Sequence, residues 1–369
     1  MNNIQRRNFL KTSSIALGGM LIFPKGLFSK NDGPIIGHGT HRYRVDQDWA
    51  LLNPSITKLK DCHELVVDGN GRLILLTTET ANNVIIFDRS GKIIDTWGHE
   101  FPGGHGLTLV EEGDEEFLFM TDHNRHQVYK ATLDGKIIMT LDWPEESGVY
   151  KNDSFYNPTE TAIGPNGDIY IADGYGAQYI SQYDAQGNFI RVFGEPGKVW
   201  AEARAKWNPK RYETPDPNKK YPDSSLSNAH GVTLDTRDAD NPTLLVTSRQ
   251  DNMIKRFTLD GTFIENIELP GAYVNRAVIK GEYLYASVLR SDRPLRDFTG
   301  FITILDKNNH VISNPGGTEP KYKRKKLQQM QQAEKIFVHP HDVCVDNDEN
   351  VYIPQWNSGR TFPVKLERV

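Results

Sequence analysis

Three histidines are the residues of this chain best suited to chemistry. His105, His230 and His341 each open a short apolar segment with the pattern of a β-strand. Three neutral imidazoles that leave one coordination position open are typical of a catalytic divalent metal site, in which the ion acidifies a bound water or polarises a substrate oxygen. Zinc is the first expectation, and nitrogen ligands also suit Fe, Mn, Co or Cu. The alternative is that each histidine is an ordinary hydrogen-bonded core residue.

The histidines can act together only if the fold brings them to one place. Strand-like segments separated by Gly and Asn turns fill the chain from residue 60 onward. The turn before the last strand of a group recurs as Asp88-Arg-Ser-Gly91, Leu133-Asp-Gly-Lys136, Asp184-Ala-Gln-Gly187, Leu259-Asp-Gly-Thr262 and Asp306-Lys-Asn-Asn309. Asp-Gly dipeptides supply the positive φ that tight hairpins need. Six groups, the closest about 40–45 residues apart, predict an all-β fold: a six-bladed β-propeller of four-stranded antiparallel blades.

Aligning the first strand of each repeat assigns one residue per repeat to a shared position. These residues are His63, His105, Thr159, His230, Asn275 and His341. The first strand of a propeller blade lines the central channel, so histidines on repeats two, four and six should lie about 120° apart around one axis. His63 occupies the same position on the first repeat. Its role is a fourth ligand, a partner that supports a ligand, or a residue that fills the channel wall.

The repeats occupy residues 31–369 and carry two insertions, near 196–227 and 314–335, expected to be extra loops or lids. The second contains a basic run and then a Gln-rich run that we expect to be helical. The sixth repeat ends abruptly at Val369, so a strand near His41-Arg-Tyr-Arg-Val45 should complete its blade and hide the sheet edges. Cys62 and Cys344 fall on neighbouring repeats, either as a disulfide or as two buried free thiols.

Residues 1–30 have the pattern of a twin-arginine export signal, with Arg6-Arg7 before an apolar, glycine-containing run. The alternative is an amphiphilic tail, and either cleavage or retention as an anchor is compatible with the residues. The signal predicts a periplasmic or extracellular protein, and no later apolar stretch approaches the ~20 residues that span a bilayer. A net charge of only -5 argues against a nucleic-acid partner. We expect a monomer.

Several motifs resemble one family in particular. The chain resembles the NHL-repeat six-bladed propellers and, within them, the peptidyl-α-hydroxyglycine α-amidating lyases, in stretches spread over residues 60–356. These stretches are Phe101-Pro-Gly-Gly-His105-Gly-Leu, Thr121-Asp-His-Asn-Arg-His-Gln-Val-Tyr-Lys130, Asn157-Pro-Thr-Glu160, Asp173-Gly-Tyr175-Gly, Ala229-His230-Gly-Val, Ser248-Arg249 and His339-Pro-His341-Asp342-Val.

The resemblance implies roles for particular residues. The three histidines would bind zinc, Tyr175 would be the base or a metal-linked phenolate, and Arg249 would steer the substrate. A structural calcium ion would be held by Asp342 and by the backbone oxygens of Leu65 and Leu107. A tyrosine beside a divalent ion and an arginine has its ionised form favoured by opposite charge.

The chain also departs from that family. Thr78 stands where the lyases have a second arginine, a forked donor suited to carboxylates, and Gly176 stands where they have a cysteine. Arg290, at the matching end of the fifth repeat, is a candidate replacement for the missing charge. His123 and Trp356 are expected at the same rim of the channel and would reshape the pocket. Without the guanidinium of that second arginine, the chain departs from the family at a position that bears on the binding of amidated-peptide substrates.

Three functions compete on these residues. The first is an exported, metal-dependent carbon-nitrogen lyase of the α-amidating type that acts on a small hydroxylated substrate or a peptide end. The second is a non-catalytic NHL propeller that binds a protein or glycan through its rim loops. The third and weakest is a lactonase, because six-bladed lactonases hold calcium through Glu, Asn and Asp, whereas this register presents histidine.

Overall fold

The computed structural model describes residues 33–50, 57–291 and 298–369, so the twin-arginine prediction for residues 1–30 lies outside it. Residues Pro34–Val369 form one compact unit. That unit begins with a hairpin of two strands, β1 (Ile35–His38) and β2 (His41–Asp46). Gly39 turns this hairpin with a φ of 57°, a left-handed conformation that costs glycine little.

The first blade shows how the sequence makes the repeat. Its strands are β3 (Cys62–Val67), β4 (Leu73–Thr77), β5 (Val84–Phe87) and β6 (Ile93–Trp97), paired antiparallel in that order. The middle strands β4 and β5 are buried throughout, because blades cover both faces, and they therefore read as continuous apolar runs. The predicted turn before β6 is closed by Asp88 Oδ1, which accepts the N–H of Ser90 at 2.8 Å, and by Gly91 with φ 87°.

Four further blades repeat this meander. Blade 2 consists of β7 (Gly104–Glu112), β8 (Glu115–Asp122), β9 (Gln127–Thr132) and β10 (Ile137–Leu141), and blade 3 consists of β11 (Glu160–Ile163), β12 (Ile169–Ala172), β13 (Ile180–Tyr183) and β14 (Phe189–Phe193). Blade 4 consists of β15 (Ala229–Asp235), β16 (Thr243–Ser248), β17 (Met253–Phe257) and β18 (Phe263–Glu268). Blade 5 consists of β19 (Ala272–Lys280), β20 (Tyr283–Ser291), β21 (Phe301–Leu305) and β22 (Val311–Ser313).

The insertion between blades 3 and 4 contains the α-helix α1 (Lys198–Trp207). Short 3-10 turns lie at Glu145–Ser147, Asp153–Phe155 and Arg249–Asp251.

The second insertion is not helical, and the prediction of a helix in 314–335 is wrong. The structure has a hairpin of β23 (Tyr322–Lys323) and β24 (Lys326–Leu327), turned by Arg324 and Lys325 with φ 50° and 65°. Like charges spaced one helical turn apart repel, and the basic run would place them so. The Gln-rich part is extended instead because Met330 is buried in the blade 5 core and its N–H donates to Pro270 O at 2.9 Å.

Blade 6 joins the two ends of the described chain. Its strands are β25 (Cys344–Val345), β26 (Val351–Ile353) and β27 (Val364–Arg368), and β2 is added outside β27, with Val45 opposite Leu366. The predicted closure by the strand at residues 41–45 is confirmed, and β1 extends that sheet by one more strand.

The six first strands contact one another in sequence around the ring, from β3 to β25 and back to β3. The protein is therefore a six-bladed β-propeller, as predicted. Its core lies between blades: Val66 and Ile74 of blade 1 share a cluster with Leu107 and Leu118 of blade 2. Each such fully buried side chain contributes about 1.5–3 kcal/mol by leaving water.

The structure decides between the two alternatives for the cysteines. Cys62 and Cys344 are both buried free thiols, with their side chains in one core cluster at the junction of blades 6 and 1. No helix among the described residues is long and apolar enough to cross a membrane.

Candidate metal centre

Four imidazole rings meet at the centre of the ring of blades. His105 lies with its ring centroid 4.6 Å from that of His63 and 4.7 Å from those of His230 and His341. The His230 and His341 centroids are 5.0 Å apart, and all four side chains are at most 2% exposed. The register inferred from the sequence therefore brings together the three predicted ligands and His63.

The three alternate histidines share one hydrogen-bonding arrangement. In each, Nδ1 lies against the backbone oxygen of the residue at the channel position of the next blade: His105 with Thr159 at 2.8 Å, His230 with Asn275 at 3.3 Å and His341 with His63 at 3.0 Å. A carbonyl oxygen only accepts, so Nδ1 carries the proton and Nε2 keeps its lone pair. Anchoring of this kind fixes the tautomer and orientation of metal-binding histidines.

His63 lacks this anchor. Neither of its ring nitrogens has a hydrogen-bond partner among the described residues, although the side chain is 2% exposed. One ring nitrogen from each of His63, His105 and His341 lies within 4.8 Å of the other two, a spacing that would allow one ion between them. This set has His63 where the sequence predicted His230. A buried imidazole with two unpaired nitrogens is costly, and a metal ion or a water would relieve that cost. The donor set thus fits a divalent ion, with His63 as a candidate additional ligand.

All four imidazoles are held in the neutral form that metal ligation requires. Burial lowers the pKa of His63, His105 and His230 well below the usual 6.5, and it lowers the pKa of His341 to about 3. The Arg249 guanidinium adds to the effect at His230 and His341. Protons therefore compete weakly with a cation for these nitrogens.

The lowered pKa of His63 predicts a pH effect on stability. Below about pH 6.5 the unfolded chain takes up a proton at this residue and the folded chain does not, so stability falls as the pH falls. Between about pH 7.5 and 5.5, metal-free wild type should lose about 1.4 kcal/mol in total relative to His63→Gln, because the full slope is reached only well below pH 6.5. Urea unfolding of both proteins between about pH 7.5 and 5.5 measures this difference. Exposed His310→Gln is the control, and an equal pH slope for wild type and His63→Gln would contradict the expectation.

Tyr175 places its hydroxyl between two of the predicted ligands. Its oxygen lies 3.1 Å from Nε2 of His105 and 3.2 Å from Nε2 of His230. The turn that presents it is held by buried Asp173, whose Oδ1 accepts the N–H of Asn157 at 2.7 Å and whose pKa is raised to about 7 by burial. A Cβ at Gly176 would clash with this carboxylate and with a backbone oxygen, so the cysteine that the resemblance implies has no room here.

Arg249 completes the group of residues around Tyr175. Its Nη2 donates to the Tyr175 hydroxyl at 3.4 Å, and its Nη1 donates to Asn275 Oδ1 at 2.6 Å. The side chain also lies over the ring of Tyr273, 4.9 Å from the centroid. A buried guanidinium in this position favours negative charge on whatever oxygen lies beside it.

Sequence reasoning missed the contribution of α1. Arg204 on this helix donates from Nη2 to the backbone oxygen of Tyr175 at 3.1 Å, and its guanidinium stacks on Trp200 at 4.0 Å from the ring centroid. The insertion therefore supports the loop that carries Tyr175. The cluster of Trp, Arg and Lys in residues 196–227 was the available signal, but spacing alone does not show which loop it contacts.

A second missed residue is Arg276, which lies one position after Asn275 in β19. Its guanidinium is within ion-pair distance of Glu64 (3.0 Å), Glu160 (3.1 Å) and Asp342 (3.3 Å). Each of these acids also follows a channel-position residue, so together they form a second layer, the carboxylate layer, directly beside the imidazoles. Burial raises the pKa of Asp342 to about 6 and that of Glu64 well above its usual value.

The remaining predicted residues have varied positions. His123 is half-buried, with its ring 5.9 Å from that of His105 and 5.5 Å from that of Tyr175, so it lies at the site. Trp356 packs on His339 at 5.7 Å, and the N–H of Thr78 donates to Asp61 O at 3.2 Å. Arg290 lies near the end of β20, opposite Tyr273.

Relatives by sequence exist over part of the chain. A probable peptidyl-alpha-hydroxyglycine alpha-amidating lyase of Caenorhabditis elegans is 38% identical over 111 residues, which cover 29% of this chain and 30% of the relative. NHL repeat-containing protein 3 of Homo sapiens is 27% identical over 141 residues, or 36% of this chain and 40% of the relative. The chain thus matches well under half the length of either relative. No family model matches it.

A solved structure extends the likeness of the fold to most of the chain. A streptogramin B lyase covers 88% of this chain and 97% of its own, with a TM-score of 0.54 and 15% sequence identity. At that identity the match supports the propeller architecture alone.

Proposed function

We propose that this protein is a divalent-metal-dependent lyase of the α-amidating type, which cleaves the carbon-nitrogen bond of a hydroxylated substrate such as a hydroxyglycine-ended peptide. The observation that carries the proposal is the shared contact of the Tyr175 hydroxyl with two anchored histidines and with Arg249. The partial sequence similarity to proteins named as such lyases supports it. His105, His230 and His341 are the proposed ligands, and His63 is the candidate fourth.

Each protein group has a definite task in this chemistry. A divalent cation, with zinc as the first candidate, would polarise the substrate oxygen bound at the channel centre. Tyr175, with Arg249 beside its hydroxyl, is the group that accepts the proton of the substrate hydroxyl. The carbon-oxygen bond becomes a carbonyl as the carbon-nitrogen bond breaks, and the electron pair goes to nitrogen. A proton returned from Tyr175 to that nitrogen yields the amide and an aldehyde, so no co-reactant is consumed.

Arg249 also suits the carboxylate of a peptide end. Its guanidinium is buried beside Tyr175, where it can pair with an anion that lies next to the reacting hydroxyl. The arginine that the lyases have in blade 1 is Thr78 here, so carboxylate binding depends on fewer charges. Substrates with a smaller or neutral group beside the hydroxyl are therefore included in the proposal.

The test is release of glyoxylate from a hydroxyglycine-ended peptide by the purified protein. We expect turnover with zinc bound, loss of turnover after chelation, and recovery when zinc or another divalent metal is added back. Turnover that survives complete removal of metal would contradict the proposal. Metal binding with no turnover of hydroxyglycine-ended peptides or of other hydroxylated compounds would favour the binding-propeller alternative.

A further inference from the structure

We propose that the guanidinium of Arg276 takes the place of the structural calcium ion expected beside the histidines, so that this propeller folds and holds its imidazoles without calcium. Arg276 belongs to blade 5, and the three acids around it, Glu64, Glu160 and Asp342, belong to blades 1, 3 and 6. One buried cation therefore connects four blades.

The guanidinium occupies oxygens that a calcium ion would need. Arg276 Nη1 donates to the backbone oxygen of Leu107 at 3.2 Å and to Asp342 Oδ2 at 3.3 Å. These are two of the three residues expected to hold calcium. The same Asp342 oxygen also accepts the N–H of Leu65 at 3.1 Å, so Oδ2 already has two donors. Two of the oxygens expected to hold calcium, Leu107 O and Asp342 Oδ2, therefore already face a positively charged side chain.

A calcium ion does not fit beside this arginine. Calcium takes six to eight oxygens at about 2.3–2.6 Å, and Leu107 O and Asp342 Oδ2 already face a guanidinium nitrogen. The ion would also lie a few ångströms from a buried positive charge, where like charges repel strongly. Both the occupied oxygens and the positive charge of Arg276 therefore disfavour a calcium ion at this position.

The acids of the carboxylate layer are of the kind that bind calcium, but an arginine side chain lies among them. Glu64 Oε1 and Asp342 Oδ1 are buried and have no hydrogen-bond partner among the described residues. Without the guanidinium, three carboxylates and the Leu107 oxygen would form a dense set of hard oxygen ligands of the kind that calcium prefers. Removal of Arg276 should therefore create a calcium requirement that the wild type lacks.

This inference is tested on the full chain, with the histidines kept saturated with zinc throughout. Wild type purified without chelator should contain no stoichiometric calcium by elemental analysis, and its Tm should be the same in millimolar calcium chloride and in calcium-free buffer. Arg276→Ala should have a lower Tm than wild type in calcium-free buffer and should gain roughly 5 °C when calcium is added. Arg276→Lys, which keeps a positive charge, should gain little.

Each outcome bears on the proposal. One calcium ion per wild-type chain, or a wild-type Tm that rises with calcium, would overturn it, and this measurement holds even if Arg276→Ala fails to fold. A folded Arg276→Ala whose Tm does not change with calcium would show that the carboxylate layer does not bind calcium. That result would also overturn the proposal. None of these readouts depends on catalytic turnover, so the inference can fail while the proposed lyase activity stands.

Discussion

His230→Ala is expected to lower the metal content of the purified protein at least ten-fold and to lower turnover with it. His230 is the ligand candidate of blade 4, and its Nδ1 is anchored to Asn275 O, which leaves Nε2 for an ion. Loss of one of three nitrogen ligands leaves a site with two, and even loss of a residue that only orients a ligand costs 10–100-fold in affinity. Elemental analysis and titration with zinc measure the effect.

His63→Ala distinguishes two possible ligand sets that share His105 and His341. The third ligand is His230 in one set and His63 in the other. If His105, His230 and His341 bind the ion, His63→Ala should lose less affinity than His230→Ala. Equal losses would indicate four ligands. A protein that keeps its metal after His230→Ala and loses it after His63→Ala would show that His63, His105 and His341 are the ligands. His310→Ala, on the surface, should keep wild-type metal content.

Tyr175→Phe is expected to lower kcat by about 10²–10⁴-fold, because it removes the group proposed to accept and return the proton. The ring contacts with His105 and His230 would be kept, so the fold and the metal content should change little. Loss of the hydroxyl contacts should cost about 0.5–1.5 kcal/mol of stability. Steady-state kinetics with a hydroxyglycine-ended peptide, together with Tm and metal content, distinguish a chemical from a structural effect.

Tyr179→Phe is the matched control, because Tyr179 is on the same blade and packs on Tyr150 instead of the histidines. It should have wild-type kcat. If Tyr175→Phe lowered KM or raised it without a change in kcat, the hydroxyl would serve binding only and the proposed proton transfer would be wrong.

The fold followed from the sequence because each repeat carries its own local signals. Asp-Gly turns fix where hairpins close, and buried middle strands show as apolar runs such as Leu73–Thr77. Closure by the strand at His41–Asp46 was predictable for a different reason, since the last repeat lacked an outer strand. The helix expected in 314–335 failed because tertiary burial of Met330 outweighs the local preference of a Gln-rich run.

The candidate site was only partly visible in the sequence. The imidazole cluster was predictable because equal register positions meet in a ring, and Tyr175 and Arg249 came from resemblance to a family. Arg276 was missed because a single arginine in a strand usually marks a solvated face. Its position directly after Asn275 could have revealed it, because the residues that follow channel positions form a layer of their own. The contact of Arg204 with the Tyr175 loop could not be predicted, because it depends on how a long insertion packs in three dimensions.

Pairing of β2 with β27 has a consequence for the order in which the molecule is made. During synthesis β2 must wait for its partner β27 until the five blades that lie between them in the chain have been made. His341 also arrives late, so the full set of imidazoles exists only once the circle is shut. A nascent chain without His341 therefore lacks one of the proposed ligands, and the proposed metal site is complete only in a chain that has reached blade 6.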